Sequence, residues 1–244
     1  MDKADLGHHI SQQYNQELED VRNRVLQMGG LVEQQLADAV MALTTMDTAL
    51  AEVVVTNDYK INKLEVSIDE ECTHILARRQ PAASDLRLLM AIVTTITDLE
   101  RIGDEAERVG RMAMHFADSD SKDTRALVGI GHIGEQVRHM LHEALDALAR
   151  MDVEAATKIA REDLKVDQQY ENIIRQLMTY MMEDPRSIPR IVNVLWAARS
   201  LERIGDRARN ICEYVIYLVR GKDVRHISLE QVEKEVRDLH HKKS

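Results

Sequence analysis

The chain has 244 residues, a formal net charge of -10, 44% hydrophobic and 30% charged residues, and only 3% aromatics. Its size allows one large domain or two small ones, and its acidity excludes a general nucleic-acid or anionic-membrane binder, because phosphate groups would be repelled. With few aromatics, three Pro and ten Gly, it is poor material for a β-sandwich and good material for long helices packed on one another.

The N-terminus, MDKADLGHHI, has no apolar segment of the secretory kind. Leu18, Val21, Val25, Met28, Val32, Leu36, Ala39 and Leu43 then step by three or four, drawing one stripe down a long first helix. Gly29 and Gly30 interrupt it, which predicts a bend or a close helix contact. A second helix is expected over 49–79, stopped by RRQP before Pro81. Ser84 is the expected N-cap of a third helix reaching Ala117. The longest apolar stretch, LLMAIVTTI (88–96), is too short to span a membrane, so no direct membrane insertion is expected. The polar run DSDSKD (118–123) reads as a linker.

The pattern then starts again. ALTTMDTALAEVVVTNDYKIN (42–62) aligns without gaps to ALARMDVEAATKIAREDLKVD (147–167), an offset of 105. The hexapeptide LERIGD occurs at 99–104 and again at 201–206, an offset of 102. Helices are expected over about 125–151, 153–183 and 187–220, with Pro185 and Pro189 in the role of Pro81. The expected fold is all-α, a six-helix bundle of two tandem three-helix repeats, 7–118 and 124–221. The remainder, 222–244, is a charged tail, either solvated or a loose terminal helix. Cys72 and Cys212 belong to no CxxC or CxxH cluster and read as buried free thiols of a reducing cytoplasm.

Within a helix, residues four apart face the same way, so Glu100 projects with Asp104 and Glu202 with Asp206. Like charges at that spacing cost a few tenths of a kcal/mol, and a mid-helix Gly at 103 or 205 costs about 1 kcal/mol relative to Ala. A bound cation would offset the first penalty, and close approach of a neighbour would explain the second. Each pair prolongs an apolar stripe, which places it at the edge of the core. The functional reading is one carboxylate site per repeat, for a divalent or iron ion that accepts oxygen ligands. The bland alternative is local pairing with Arg101, Arg108, Arg199 and Arg203. Asp163 and Asp167, with Asp58 and Asn62 as their first-repeat equivalents, would extend such a site onto the second helix.

ERIGD followed by EAERVGRMA and by RARNICEYV, with MGGLVEQQLADAV (28–40), RRQPAASDLRL (78–88), MTYMMEDPR (178–186) and RSLERIGDRARNICE (199–213), resembles the PhoU family over nearly the whole chain. The resemblance implies two pseudo-symmetric three-helix repeats and a cytoplasmic, non-enzymatic regulator of phosphate-specific transport. It implies negative control of the phosphate regulon, by linking the ATPase subunit of a phosphate ABC transporter to a phosphate-responsive sensor histidine kinase. Some members of the family hold metal clusters through ExxxD motifs, here Glu100, Asp104, Glu202 and Asp206. A homodimer is the expected assembly.

Three rival readings are weaker. A ferritin-like di-iron enzyme needs two ExxH motifs, and the chain has one, Glu71–His74. HMLHE (139–143) lacks the HExxH order of a zinc protease, and no Gly-rich phosphate loop or GxSxG elbow occurs. A phosphotransfer module would use an exposed His, such as His139 or His142, but nothing singles either out. A mainly structural scaffold that binds metal through its carboxylates is the alternative to the adaptor.

Overall fold

The computed structural model describes residues 3–117, 124–225 and 231, with side chains from residue 12 onward. The helices are α1 (Lys3–Thr45), α2 (Thr48–Asn57), α3 (Tyr59–Arg79), α4 (Ala83–Ala117), α5 (Leu127–Arg150), α6 (Val153–Ala160), α7 (Asp163–Glu183) and α8 (Ile188–Arg220). A 3-10 turn, Pro185–Ser187, leads into α8. There is no strand among the described residues. Because α2 runs into α3 and α6 into α7, the chain forms six helices, three per repeat. DSDSKD and most of the tail lie outside the described residues.

Two expected helices, 49–79 and 153–183, are each broken once. At Asp58 the ladder gives way to a bond from Ile61 N to Asp58 O at 2.9 Å, and before α7 Lys165 N bonds Glu162 O at 2.9 Å. These are three-residue closures in place of four, as at helix ends. Both breaks fall beside a buried carboxylate, Asp58 and Asp163. Neither acid caps the new helix start with its side chain; Asp58 accepts from Gln35 and Asn62, and Asp163 from Arg209. Hydrophobic periodicity runs through each break unchanged, so it carries no sign of it. Ser84 lies one residue inside α4 rather than capping it, because the helix begins sooner after Pro81 than the hydroxyl suggests.

The turns between first and second helices repeat closely. Met46 and Met151 take left-handed φ values of 58° and 55°. Each is followed by an aspartate N-cap, Asp47 accepting from Leu50 N and Asp152 from Ala155 N, both at 3.0 Å. Such a cap contributes about 1 kcal/mol.

The centre of the molecule is α4 packed along α8, flanked by α1 and α5. The expected α1 stripe is buried from Leu18 to Leu43, as are Leu99, Ile102, Ala106, Leu201, Ile204 and Ala208. The two repeats meet reciprocally. A Cβ built on Gly29 would stand 2.6 Å from Leu145 Cδ2, and one on Gly134 would stand 2.6 Å from Val40 Cγ1. At the repeat offset Gly29 corresponds to Gly134 and Val40 to Leu145. Each helix thus offers a notch to the other's branched side chain, the signature of a two-fold contact. Of the two glycines that interrupt α1, Gly29 serves this close approach, while a Cβ on Gly30 would meet nothing within 4 Å.

Candidate metal centres

Each LERIGD motif lies mid-helix, on α4 and on α8. Glu100 and Asp104 are half-buried, Glu202 is buried and Asp206 is half-buried. This is the edge-of-core placement the stripe predicts. The broken second helix of each repeat packs over this edge and brings its own acids: Asp58 and Glu65 to the first motif, Asp163 and Asp167 to the second.

In the first repeat, Asp58 is held by amides. Gln35 Nε2 donates to Asp58 Oδ1 at 3.0 Å, and Asn62 Nδ2 donates to Asp58 Oδ2 at 3.1 Å. A Cβ on Gly103 would lie 3.2 Å from Gln35 Oε1 and 3.3 Å from Asp58 Oδ1. The motif glycine is therefore the opening through which α1 and α2 reach the acids of α4. The Glu100 pKa is raised, first by burial and then by Asp104, Glu65 and Asp58. Asp104 is raised by burial and then by Asp58, and Glu65 by burial and then by Asp69.

In the second repeat, Asp163 Oδ2 accepts from Arg209 Nη1 at 2.9 Å, and Arg199 Nη1 donates to Glu202 Oε1 at 2.5 Å. Burial outweighs the pull of Arg209 and pushes the Asp163 carboxyl up to about 6. Glu202 and Asp167 are raised too, in both cases mainly by burial. Burial works against the Arg209 charge, but Asp163 and Glu213 outweigh it, and the guanidinium pKa is raised.

The local arginine pairing expected from spacing holds in one case, Arg199 with Glu202. Arg108 bonds Glu105 at 2.8 Å instead of Asp104. Arg203 crosses between helices to Glu105 at 3.0 Å instead of turning to Asp206. Glu105 also accepts from Ser200 Oγ at 2.7 Å. Asp98 accepts from Arg207, Asn210 and Tyr214 of α8. Asp98 and Glu105 thus bind the two repeats together, while among the motif acids Glu202 takes an arginine and Glu100, Asp104 and Asp206 take none among the described residues.

Whether the residues suit a cation is decided by their unused oxygens. Buried Asp163 Oδ1, Glu202 Oε2, Gln35 Oε1 and Asn62 Oδ1 have no hydrogen-bond partner. All four are acceptors, and buried acceptors without a donor are costly. A hard cation meets that need with no change in the residues. As the side chains stand, no three His, Cys, Asp or Glu groups among the described residues form a ready ligand set, so ligation requires carboxylate rotation. The other histidine candidates go elsewhere. Glu71 pairs with Arg24, and His142 Nδ1 lies 3.0 Å from Glu33. Cys72 and Cys212 are free and buried, and burial pushes the Cys72 thiol up to about 12.

The second-helix acids of this site were foreshadowed by the repeat alignment, which pairs Asp58 with Asp163. Gln35 and Glu65 were not. Glu65 stands seven residues after Asp58 on the same helical face, which is a readable signal. Gln35 sits inside an apolar stripe and gives none beyond being polar there.

The PhoU domain model matches the chain twice, over residues 25–113 and 130–215. The chain belongs to the PhoU family. A relative named phosphate-specific transport system accessory protein PhoU homolog, from Pseudomonas aeruginosa, is 56% identical over 236 residues, covering 97% of each chain. The crystal structure of PhoU from the same organism superposes with a TM-score of 0.83 at 56% identity, covering 86% of this chain and 100% of that one. The phosphate transport system regulatory protein PhoU from Streptococcus pneumoniae gives 0.79 at 29% identity, covering 86% and 99%. The two domain matches each take in one LERIGD motif, so in this PhoU-family chain the duplicated hexapeptide is one position of a duplicated domain.

Proposed function

We propose that this PhoU-family chain is a non-catalytic, cytoplasmic regulator of phosphate uptake and signalling that holds the phosphate regulon off when phosphate is plentiful. The observation that carries the reading is near-full-length identity of 56% to a phosphate-specific transport accessory protein. In this reading it is an adaptor between the ATPase subunit of the phosphate ABC transporter and a phosphate-responsive sensor histidine kinase, working as a homodimer. No described helix is long and apolar enough to cross a membrane, which suits a protein that meets the transporter from one side. Exposed large apolar side chains on outer helix faces, among them Leu164, Met182 and Trp196, supply material for docking. The repeats are assigned to 7–118 and 124–221.

The metal ligands in this reading are Glu100 and Asp104 with Asp58 in the first repeat, and Glu202 and Asp206 with Asp163 and Asp167 in the second. Oxygen donors of this kind suit Mg²⁺, Mn²⁺, Ca²⁺ or iron. When bound, the cation supplies positive charge to carboxylates that burial has made costly to ionise, and it ties the second helix of a repeat to the third. Gln35 and Asn62 orient Asp58 through their amide donors, and Gly103 keeps the approach to the motif open.

A metal-binding bundle with a mainly structural role is the second reading. It is favoured by the Asp98 and Glu105 networks, which join α4 to α8 without the motif acids. Deleting the gene and following a phosphate-regulon reporter in phosphate-rich medium tests the first reading: expression rises if the chain represses. Unchanged output removes the regulatory claim and leaves the scaffold.

A further inference from the structure

The two carboxylate centres occupy equivalent places in the repeats, yet three of their surrounding positions differ in chemistry. Where the first repeat has Gln35, the equivalent position in α5 is Met140. Gln35 carries an amide oxygen without a partner beside Gly103, and Met140 is fully buried. Where the first repeat has Thr97, the second has Arg199, bonded to Glu202.

The third difference is a reversed ion pair. In α4, Glu107 accepts from Arg111 at 2.5 Å. The equivalent pair in α8 is Arg209 with Glu213, 3.3 Å apart. The polarity is inverted. In the first repeat the acid is the nearer member to the motif, one turn beyond Glu100 and Asp104, and Glu107 is among the charges that raise Asp104. In the second repeat the base takes that place and bonds buried Asp163 directly. No cation among the described residues bonds Asp58, which faces two amides instead.

We infer that the two repeats hold cations unequally: the first centre is built to take an external divalent ion, and the second carries a resident cation, the Arg209 guanidinium. This rests on the metal reading above and deepens it. In the first centre Asp58, Glu65, Glu100 and Asp104 have no interior positive charge, and the Gln35 carbonyl is a neutral oxygen aimed between Asp58 and the motif glycine. Arg101 and Arg108 pull on Glu100, Glu65 and Asp104 from the exposed surface without bonding them, so a divalent ion there neutralises charge that no bonded cation does. In the second centre an incoming ion meets two arginines, loses Coulomb energy against each, and must displace the Arg209–Asp163 bond before Asp163 can serve as a ligand. Arg209 is therefore the residue that sets the difference between the sites. Gln35 is a positioning residue that strengthens the first by fixing Asp58.

The test is a Mn²⁺ titration of the full chain by calorimetry, with free Mn²⁺ followed by electron paramagnetic resonance. The wild type shows a tight and a weak class at least tenfold apart. Changing Glu100→Gln with Asp104→Asn removes the tight class, and changing Glu202→Gln with Asp206→Asn leaves it in place. Arg209→Gln strengthens the weak class at least tenfold and leaves the tight class unmoved. Since loss of Arg209 exposes buried Asp163 to an unbalanced charge, Gln35→Met supplies a converse that the fold already tolerates at Met140. It weakens the tight class severalfold and does not touch the weak one. Loss of the tight class on changing Glu202 and Asp206, or an unmoved weak class in Arg209→Gln, overturns the inequality while the metal reading survives. No Mn²⁺ binding by the wild type and Arg209→Gln alike overturns both.

Discussion

Ser200 donates its hydroxyl to Glu105 at 2.7 Å across the contact between α4 and α8, and exchanging the repeats carries that pair onto Asp98 and Arg207, which are 3.3 Å apart. One contact has been written twice with different residues. The acid sits at one end of it in the first copy and at the other end in the second. Both acids are almost fully buried, and both come from α4.

Removing either acid strands several donors at once. Asp98→Ala leaves Arg207, Asn210 and Tyr214 without their acceptor, and Glu105→Ala does the same to Ser200, Arg203 and Arg108. Each substitution lowers stability by about 3 kcal/mol. Arg138→Ala, which breaks an exposed pair with Glu135 on one helix, costs less than about 1 kcal/mol. Urea unfolding midpoints of the three variants give the comparison.

Adjacent glycines of α1 respond in opposite directions. Gly29→Ala pushes a methyl into Leu145, whose Cδ2 is 2.6 Å from the new Cβ, and destabilises by roughly 1–3 kcal/mol. Gly30→Ala meets nothing within 4 Å and stabilises by about 1 kcal/mol through helix propensity alone. Thermal melts of the two single variants should move apart, one down and one up.

The acid-base behaviour of the metal-free chain follows from Asp163. Its carboxyl titrates at about 6 in the folded chain and near about 3.9 when unfolded. Between those values the folded state holds more protons. The stabilisation is fully present below about pH 4 and is lost as pH rises through 6. Asp163 alone makes the metal-free protein roughly 1 kcal/mol less stable at pH 7 than at pH 5. Glu100, Asp104, Asp167 and Glu202 are raised as well and act in the same direction. Denaturant titrations at the two pH values measure the difference, and Asp163→Asn reduces it.

Cation loading inverts that dependence. In the proposed metal-binding reading the cation takes the ionised carboxylates, so its affinity falls with the pH as protons compete below about 6. Elemental analysis of the purified chain, beside a variant with Glu100→Gln, Asp104→Asn, Glu202→Gln and Asp206→Asn, shows stoichiometric metal in the parent and none in a variant that remains helical. Chelation lowers the melting temperature of the parent and leaves that of the variant unchanged.

Much of this was legible in the residues. The steps of three and four along Leu18 to Leu43 mark α1 and its buried face, and the repeat offsets pair Asp58 with Asp163. The breaks at Asp58 and Glu162 were not legible, because the apolar spacing passes through them without changing phase. The partners that spacing offers Arg203 and Arg108 under the bland alternative differ from the real ones for another reason. Spacing within a helix shows only neighbours three or four residues away, and Glu105 gathers Ser200 and Arg203 from another helix 95 and 98 positions on. Gln35 was silent because a single polar residue in an apolar stripe does not say what it faces.

The reciprocal notches of Gly29 and Gly134 have a consequence for how such a molecule could arise. A seam in which each half offers the same groove to the other is what two separate copies of one short chain would form. Joining them covalently replaces an encounter in solution with a local concentration on the order of millimolar. Two free copies would be obliged to carry identical centres, since one gene would encode both. Once fused, each half inherits a partner that can no longer change places with it. Met140 and Arg209 can then accumulate on one side while Gln35 and Glu107 persist on the other.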